Sequence, residues 1–172
     1  MKKNSLIFMG LILMAGAFRL ISHPWNFTPI LAVCIFSGYK IKPLGLALFL
    51  PLLTIFSGDL FIGFYEGMVW VYAAYIVTIA IALFTNKSNS VQSKVGNVII
   101  GSISFFIISN FGVWMSGLLY AKNVDGLMAC YIAAIPFFKN TFLGTLIYSF
   151  VFFAVAETLE RHDSAELSTT QS

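Results

Sequence analysis

From Val95 to Leu119 the chain runs without a single charged side chain, a stretch long enough to carry a helix across a bilayer. Backbone amides have no water to bond to in hydrocarbon, so a run of this kind folds as a helix. Similar runs recur through the sequence. The 172 residues are 59% hydrophobic and 10% charged, with a mean hydropathy of +0.88. A soluble domain carries about 25% charged residues. The composition therefore points to an all-α integral membrane protein in one bundle.

Six spans are expected: Ser5 to Ile21, Thr28 to Tyr39, Pro43 to Ser57, Met68 to Phe84, Val95 to Leu119 and Thr141 to Leu159. Lys2-Lys3, a short apolar core and Ala15-Gly16-Ala17 also fit a signal peptide ending near Ala17. We favour an uncleaved first span, because cleavage would remove one helix from the bundle. Pro43 suits a first turn, whereas Pro51 falls inside span three and should kink it, with a neighbouring helix covering the freed carbonyl. Residues 1–160 form the expected transmembrane bundle, and the polar stretch 161–172 a disordered cytoplasmic tail.

With the N-terminus inside, Lys2, Lys3, Lys40, Lys42, Lys87, Lys94 and Arg161 face the cytoplasm, and Arg19, Lys122 and Lys139 face out. This bias sets the expected orientation: multi-pass, both termini cytoplasmic. The net charge of +3 is scattered and gives no nucleic-acid surface.

One segment departs from the pattern. Leu127 to Phe138 is apolar, too short for a span, and broken at Pro136. It reads as a short re-entrant or interfacial segment between spans five and six, the expected lid or floor of a ligand site. The outer connections gather the amides and aromatics, the lining small-molecule pockets use. Candidate substrate-binding residues are Asn110, Trp114, Asp59, Asn26, Trp25, Tyr65, Tyr131 and Asn140.

Each has a plainer explanation. Trp25, Tyr65 and Trp114 suit an interfacial aromatic belt, and Asp59 suits a helix cap. An ionisable group at membrane depth is nonetheless costly unless paired or functional. Asn110 and Trp114 lie four apart, hence near one helical face. Ser102, Ser109 and Ser116, and likewise Thr141, Thr145 and Tyr148, form stripes that read as packing surfaces.

Cys34 and Cys130 lack metal or disulfide spacing and read as small packing residues. No metal, no cofactor and no catalytic residue is expected. The sequence has no nucleophile elbow, H-E-x-x-H or phosphate-binding glycine loop. Asp59 and Glu66 come within reach of each other only on one continuous helix.

Four stretches carry a resemblance: His23-Pro24-Trp25-Asn26-Phe27-Thr28-Pro29-Ile30; Ser57-Gly58-Asp59-Leu60 with Gly63-Phe64-Tyr65; Ser109-Asn110-Phe111-Gly112-Val113-Trp114; and Gly126-Leu127 through Cys130-Tyr131 to Thr141. They resemble an uncharacterised family of small bacterial membrane proteins. That family is similar in turn to the substrate-binding S components of energy-coupling factor (ECF) vitamin transporters. The resemblance implies a bacterial cytoplasmic-membrane bundle that captures a small vitamin-like nutrient from the outer side. Its implied partners are the bilayer, a transmembrane T component and two ATPases, with no nucleic acid. S components commonly carry Ala-x-x-x-Ala on the first helix. Span one offers Gly10, Ala15, Gly16 and Ala17 without that spacing. The competing expectations are a membrane enzyme using Asp59, Glu66 or His23 as acid-base groups, and a non-catalytic scaffold subunit.

Overall fold

A computed structural model describes residues 3–18, 26–85 and 88–170. The fold is all-helical, with no strand among these residues: α1 (Lys3–Ala17), α2 (Ile30–Lys40), α3 (Leu44–Ile62), α4 (Met68–Thr85), α5 (Val91–Ser116) and α6 (Val124–Thr170). Helices α3, α4, α5 and the Val124–His162 part of α6 are long and apolar enough to cross a membrane. At 1.5 Å per residue, α1 and α2 extend only about 22 and 16 Å, less than a hydrocarbon core of about 30 Å.

The short α2 is the centre of the bundle. Every residue from Ile30 to Gly38 is buried, as expected of a helix that is apolar all round. One side of it meets α1 and α6, where the Phe36 ring lies 5.5 Å from Phe8, 5.7 Å from Phe152 and 5.6 Å from Phe153. Such tilted and edge-on pairs contribute about 0.5–1.5 kcal/mol each beyond their area. Its other side packs Ile30, Leu31 and Cys34 against Ile55 of α3 and Tyr75 and Ile79 of α4. Gly38 permits a close approach of α2 to α4, since a Cβ there would lie 2.7 Å from the Ala82 Cβ and 3.2 Å from the Ile79 carbonyl. Lipid offers no hydrophobic drive between helices, so close fits of this kind hold the bundle together. Outward, the helices expose large apolar side chains, among them Phe49, Phe56, Ile103, Ile107 and Phe150. That is the surface of a membrane-embedded protein.

Two ends result from the alternating helix directions. At one end, Lys40 pairs with Glu160 at 2.8 Å. Lys94 pairs with Glu157, and its ammonium lies 4.9 Å from the centre of the Phe153 ring. Asn97 joins α5 to α2 there by donating to the Tyr39 hydroxyl at 2.8 Å, and the Thr85 hydroxyl donates to the Asn97 Oδ1 at 2.7 Å. The opposite end holds the start of α2, the α3–α4 connection and the last turns of α5.

The chain differs most from expectation around Pro136. Instead of a separate re-entrant or interfacial segment, Leu127 to Phe138 forms the first turns of α6, and the helix continues through the proline. Pro136 is on an exposed face of α6. The start is secured by Asn123, whose Oδ1 accepts from the Gly126 amide at 2.8 Å, while Asp125 occupies the first turn. The last helix thus begins at Val124 rather than Thr141. Helix α3 also runs five residues beyond the expected Ser57, to Ile62.

Candidate functional site

A cavity of 440 Å³ opens at the end away from the ion pairs, within the roughly 300–1,000 Å³ typical of small-ligand sites. Four parts of the chain build it. On α5, Phe105, Phe106, Ser109, Asn110 and Val113 recur at intervals of three and four and share a face. On α6 the same periodicity presents Ala134, Phe137, Phe138, Thr141 and Thr145. Val71 and Tyr75 of α4 stand beside Ile62, the last residue of α3, and Tyr65 from the α3–α4 connection. Asn26, Thr28 and Leu31 close the remaining side.

Two local conformations make this closure. Gly63 has φ 100° and ψ 157°, a region essentially restricted to glycine, and there the chain leaves α3 to bring Tyr65 to the cavity. Asn26 adopts φ 61°, which asparagine tolerates better than other side chains. The segment that follows rests on Gly144 of α6, where a Cβ would lie 3.4 Å from the Phe27 Cα.

The lining is aromatic and polar but carries no lysine, arginine, histidine or carboxylate among the described residues. Tyr75 and Phe105 have ring centres 4.9 Å apart, as do Phe106 and Phe138. The Ser109 hydroxyl donates to the Phe105 carbonyl at 2.7 Å, Thr145 to Thr141 at 2.7 Å and Thr141 to Phe137 at 3.1 Å. The Asn110 Nδ2 donates to the Phe106 carbonyl at 2.8 Å.

Asn26, Tyr65 and Asn110, distant in sequence, meet in this cavity. Trp114 does not line it. The indole Nε1 donates to the Ala121 carbonyl at 3.0 Å and braces the turn between α5 and α6. Four residues also advance a helix by about 6 Å along its axis, which places Trp114 beyond the cavity and level with the turn. Tyr131 stands behind the lining, donating to the Ile107 carbonyl at 2.7 Å with its ring edge-on to Phe106. Asp59 is buried on α3, one turn before Ile62, and accepts from the Tyr72 hydroxyl at 2.7 Å. Asn140 adjoins Thr141 on α6 without lining the cavity. Trp25, like His23, lies outside the described residues.

The carboxylates do not share a helix, since α3 ends at Ile62 and Glu66 belongs to a separate shallow groove with Trp70 and Gly112. Both cysteines are buried; Cys130 Sγ contacts the Asn110 carbonyl at 3.4 Å where α5 meets α6. Phe105, Phe106, Phe138, Thr141 and Thr145 were not singled out by sequence as site residues. Helical spacing was the available signal for the first two: Phe106 lies four residues before Asn110 and Phe105 four before Ser109. The threonine stripe was visible, but read as packing.

Residues 1–167 match a family model described as "Family of unknown function (DUF6580)". No curated protein and no solved structure matches the chain.

Proposed function

The chain belongs to the DUF6580 family of unknown function, and from that premise we propose that it is the substrate-binding subunit of a membrane transport system, taking up a small vitamin-like nutrient. The observation that carries this reading is the 440 Å³ cavity, at which Asn26, Tyr65 and Asn110 converge. It lies at the opposite end of the bundle from Lys40 and Lys94. If the lysine-rich end is cytoplasmic, as the positive-inside bias requires, the cavity opens to the outer face of a bacterial cytoplasmic membrane. The chain then spans that membrane six times with both termini inside, flanking residues and local thinning of the bilayer making up the length that α1 and α2 lack.

The resemblance of the sequence motifs to ECF S components favours the same reading, and the partners it implies are the surrounding bilayer, a T component and two ATPases. Leu6, Gly10, Leu13 and Met14 form an exposed face along α1 that suits contact with such a transmembrane partner. A binding role fits the lining better than an acid-base one, because Asp59 and Glu66 sit apart from each other and outside the cavity.

The test is thermal stabilisation of the purified full-length protein by a panel of vitamins and their precursors. Stabilisation by at least one compound, lost in Asn110→Ala and in Phe106→Ala, is the expected result. No stabilisation by any, or stabilisation undiminished in both variants, overturns the proposal.

A further inference from the structure

We propose that the solute this cavity holds is an uncharged, flat aromatic heterocycle with N–H groups along its edge; the inference rests on the binding-subunit reading above and narrows it to a chemical class. Two independent features of the lining carry it.

The first is charge. Six of the seventeen lining residues are aromatic, and none carries a formal charge. An ion entering this space leaves water without meeting a counter-charge, at a penalty of several kcal/mol. A neutral ring escapes that penalty and meets the Tyr75–Phe105 and Phe106–Phe138 pairs at stacking or edge-on distance.

The second feature is the direction of the hydrogen bonds. Ser109, Thr141 and Thr145 each spend their one hydroxyl proton on a carbonyl of their own helix. The lone pairs left over make these oxygens acceptors toward the cavity. Asn110 spends one of its two amide N–H groups on Phe106; its Oδ1 adds a further acceptor and the second N–H stays a donor. The α5–α6 wall is therefore rich in acceptors, and the complementary solute supplies donors. A ring carrying amino or unsubstituted amide groups does so without acquiring charge.

The experiment uses two matched sets of probes on the purified full-length protein, with affinity read by calorimetry. One set is adenine, 6-(dimethylamino)purine and purine-6-carboxylate. The other is nicotinamide, N,N-dimethylnicotinamide and nicotinate. In at least one set the neutral compound with free exocyclic N–H groups should bind about tenfold or more tighter than both its methylated and its anionic counterpart. Thr141→Val should remove most of that preference and Thr141→Ser restore it. If Thr141→Val does not fold, Ser109→Ala reads the same wall. Equal or tighter binding of the methylated or anionic member in both sets overturns the inference, as does no binding by either set at millimolar concentration. An unimpaired preference in the folded valine or alanine variant overturns it too. An anionic or aliphatic nutrient that binds and is weakened by Asn110→Ala sinks this chemical class alone and leaves the transport reading standing.

Discussion

The Ser37 hydroxyl of α2 donates to the Ala47 carbonyl of α3 at 2.8 Å. Ala47 is four residues before Pro51, so its carbonyl is the one that the proline, lacking an N–H, leaves without a helical partner. A proline inside a membrane helix is tolerated when a neighbour takes up the freed group. Here the neighbour is the central helix, and both Ser37 and Ala47 are buried.

Ser37→Ala should strand that carbonyl and lower stability by about 1–3 kcal/mol. Pro51→Ala in the same background restores a backbone donor and should recover most of the loss. Reversible unfolding of the two single variants and the double variant forms the cycle that checks the coupling. Simple additivity would disprove it.

Gly38 should not accept a side chain. Gly38→Ala forces α2 and α4 apart at Ala82 and the Ile79 carbonyl, for a loss of about 1–3 kcal/mol. Gly96, inside α5 with open space around it, is the control. There alanine should be neutral or gain up to about 1 kcal/mol from helix propensity. Midpoints of thermal unfolding separate the two.

The ion pairs should contribute unequally when cut from either side. Lys94 is nearly buried, while the Glu157 side chain is 39% exposed and screened by solvent. Glu157→Gln leaves an enclosed ammonium facing a neutral partner and should cost about 1 kcal/mol, well below the figure for a fully buried pair. Lys94→Met removes the charge and keeps an apolar stem over Phe153, and should cost less. Unfolding midpoints at low and high salt test the order, and the gap should narrow with salt.

Trp114 and Asn110 should separate function from architecture. Trp114→Phe removes the bond to Ala121, so amide exchange in the 117–123 turn should quicken while solute-induced stabilisation persists. Asn110→Leu should do the reverse. Loss of binding in the tryptophan variant would return that residue to the site.

Tyr72→Phe withdraws a donor from the buried Asp59 carboxyl and should destabilise the α3–α4 contact by about 1–3 kcal/mol. Glu66→Gln, on an exposed connection, should leave the unfolding midpoint unchanged. The comparison is made by thermal unfolding of the two variants side by side.

Much of this architecture is legible in the residue order. Apolar run length and sparse charge give the helices, and Ser90 and Asn123 cap α5 and α6 by accepting from Ser93 and Gly126. The run before Thr141 is too short to cross a bilayer and carries Pro136, so by itself it reads as a segment that turns back. Helix α6 instead extends well past any single span, at about 70 Å for its 47 residues. The cavity was half legible: amides marked Asn26 and Asn110, while Thr141 and Thr145 carried no mark that distinguishes a lining hydroxyl from a packing one.

A helical, membrane-embedded chain with lysines at one end and amides and aromatics at the other was already written in the run lengths and the scarcity of charge, because hydrocarbon leaves the backbone no alternative to helix. Which side chains meet was not. Periodicity gives the angle of a residue around its own axis and nothing about the rotation of that axis against its neighbours. That rotation is set by contacts such as Gly38 on Ala82 and Gly112 on Trp70. It turns Asn110 into the cavity, carries Trp114 to the turn, and brings Asn26 and Tyr65 to that cavity from the N-terminal half of the chain.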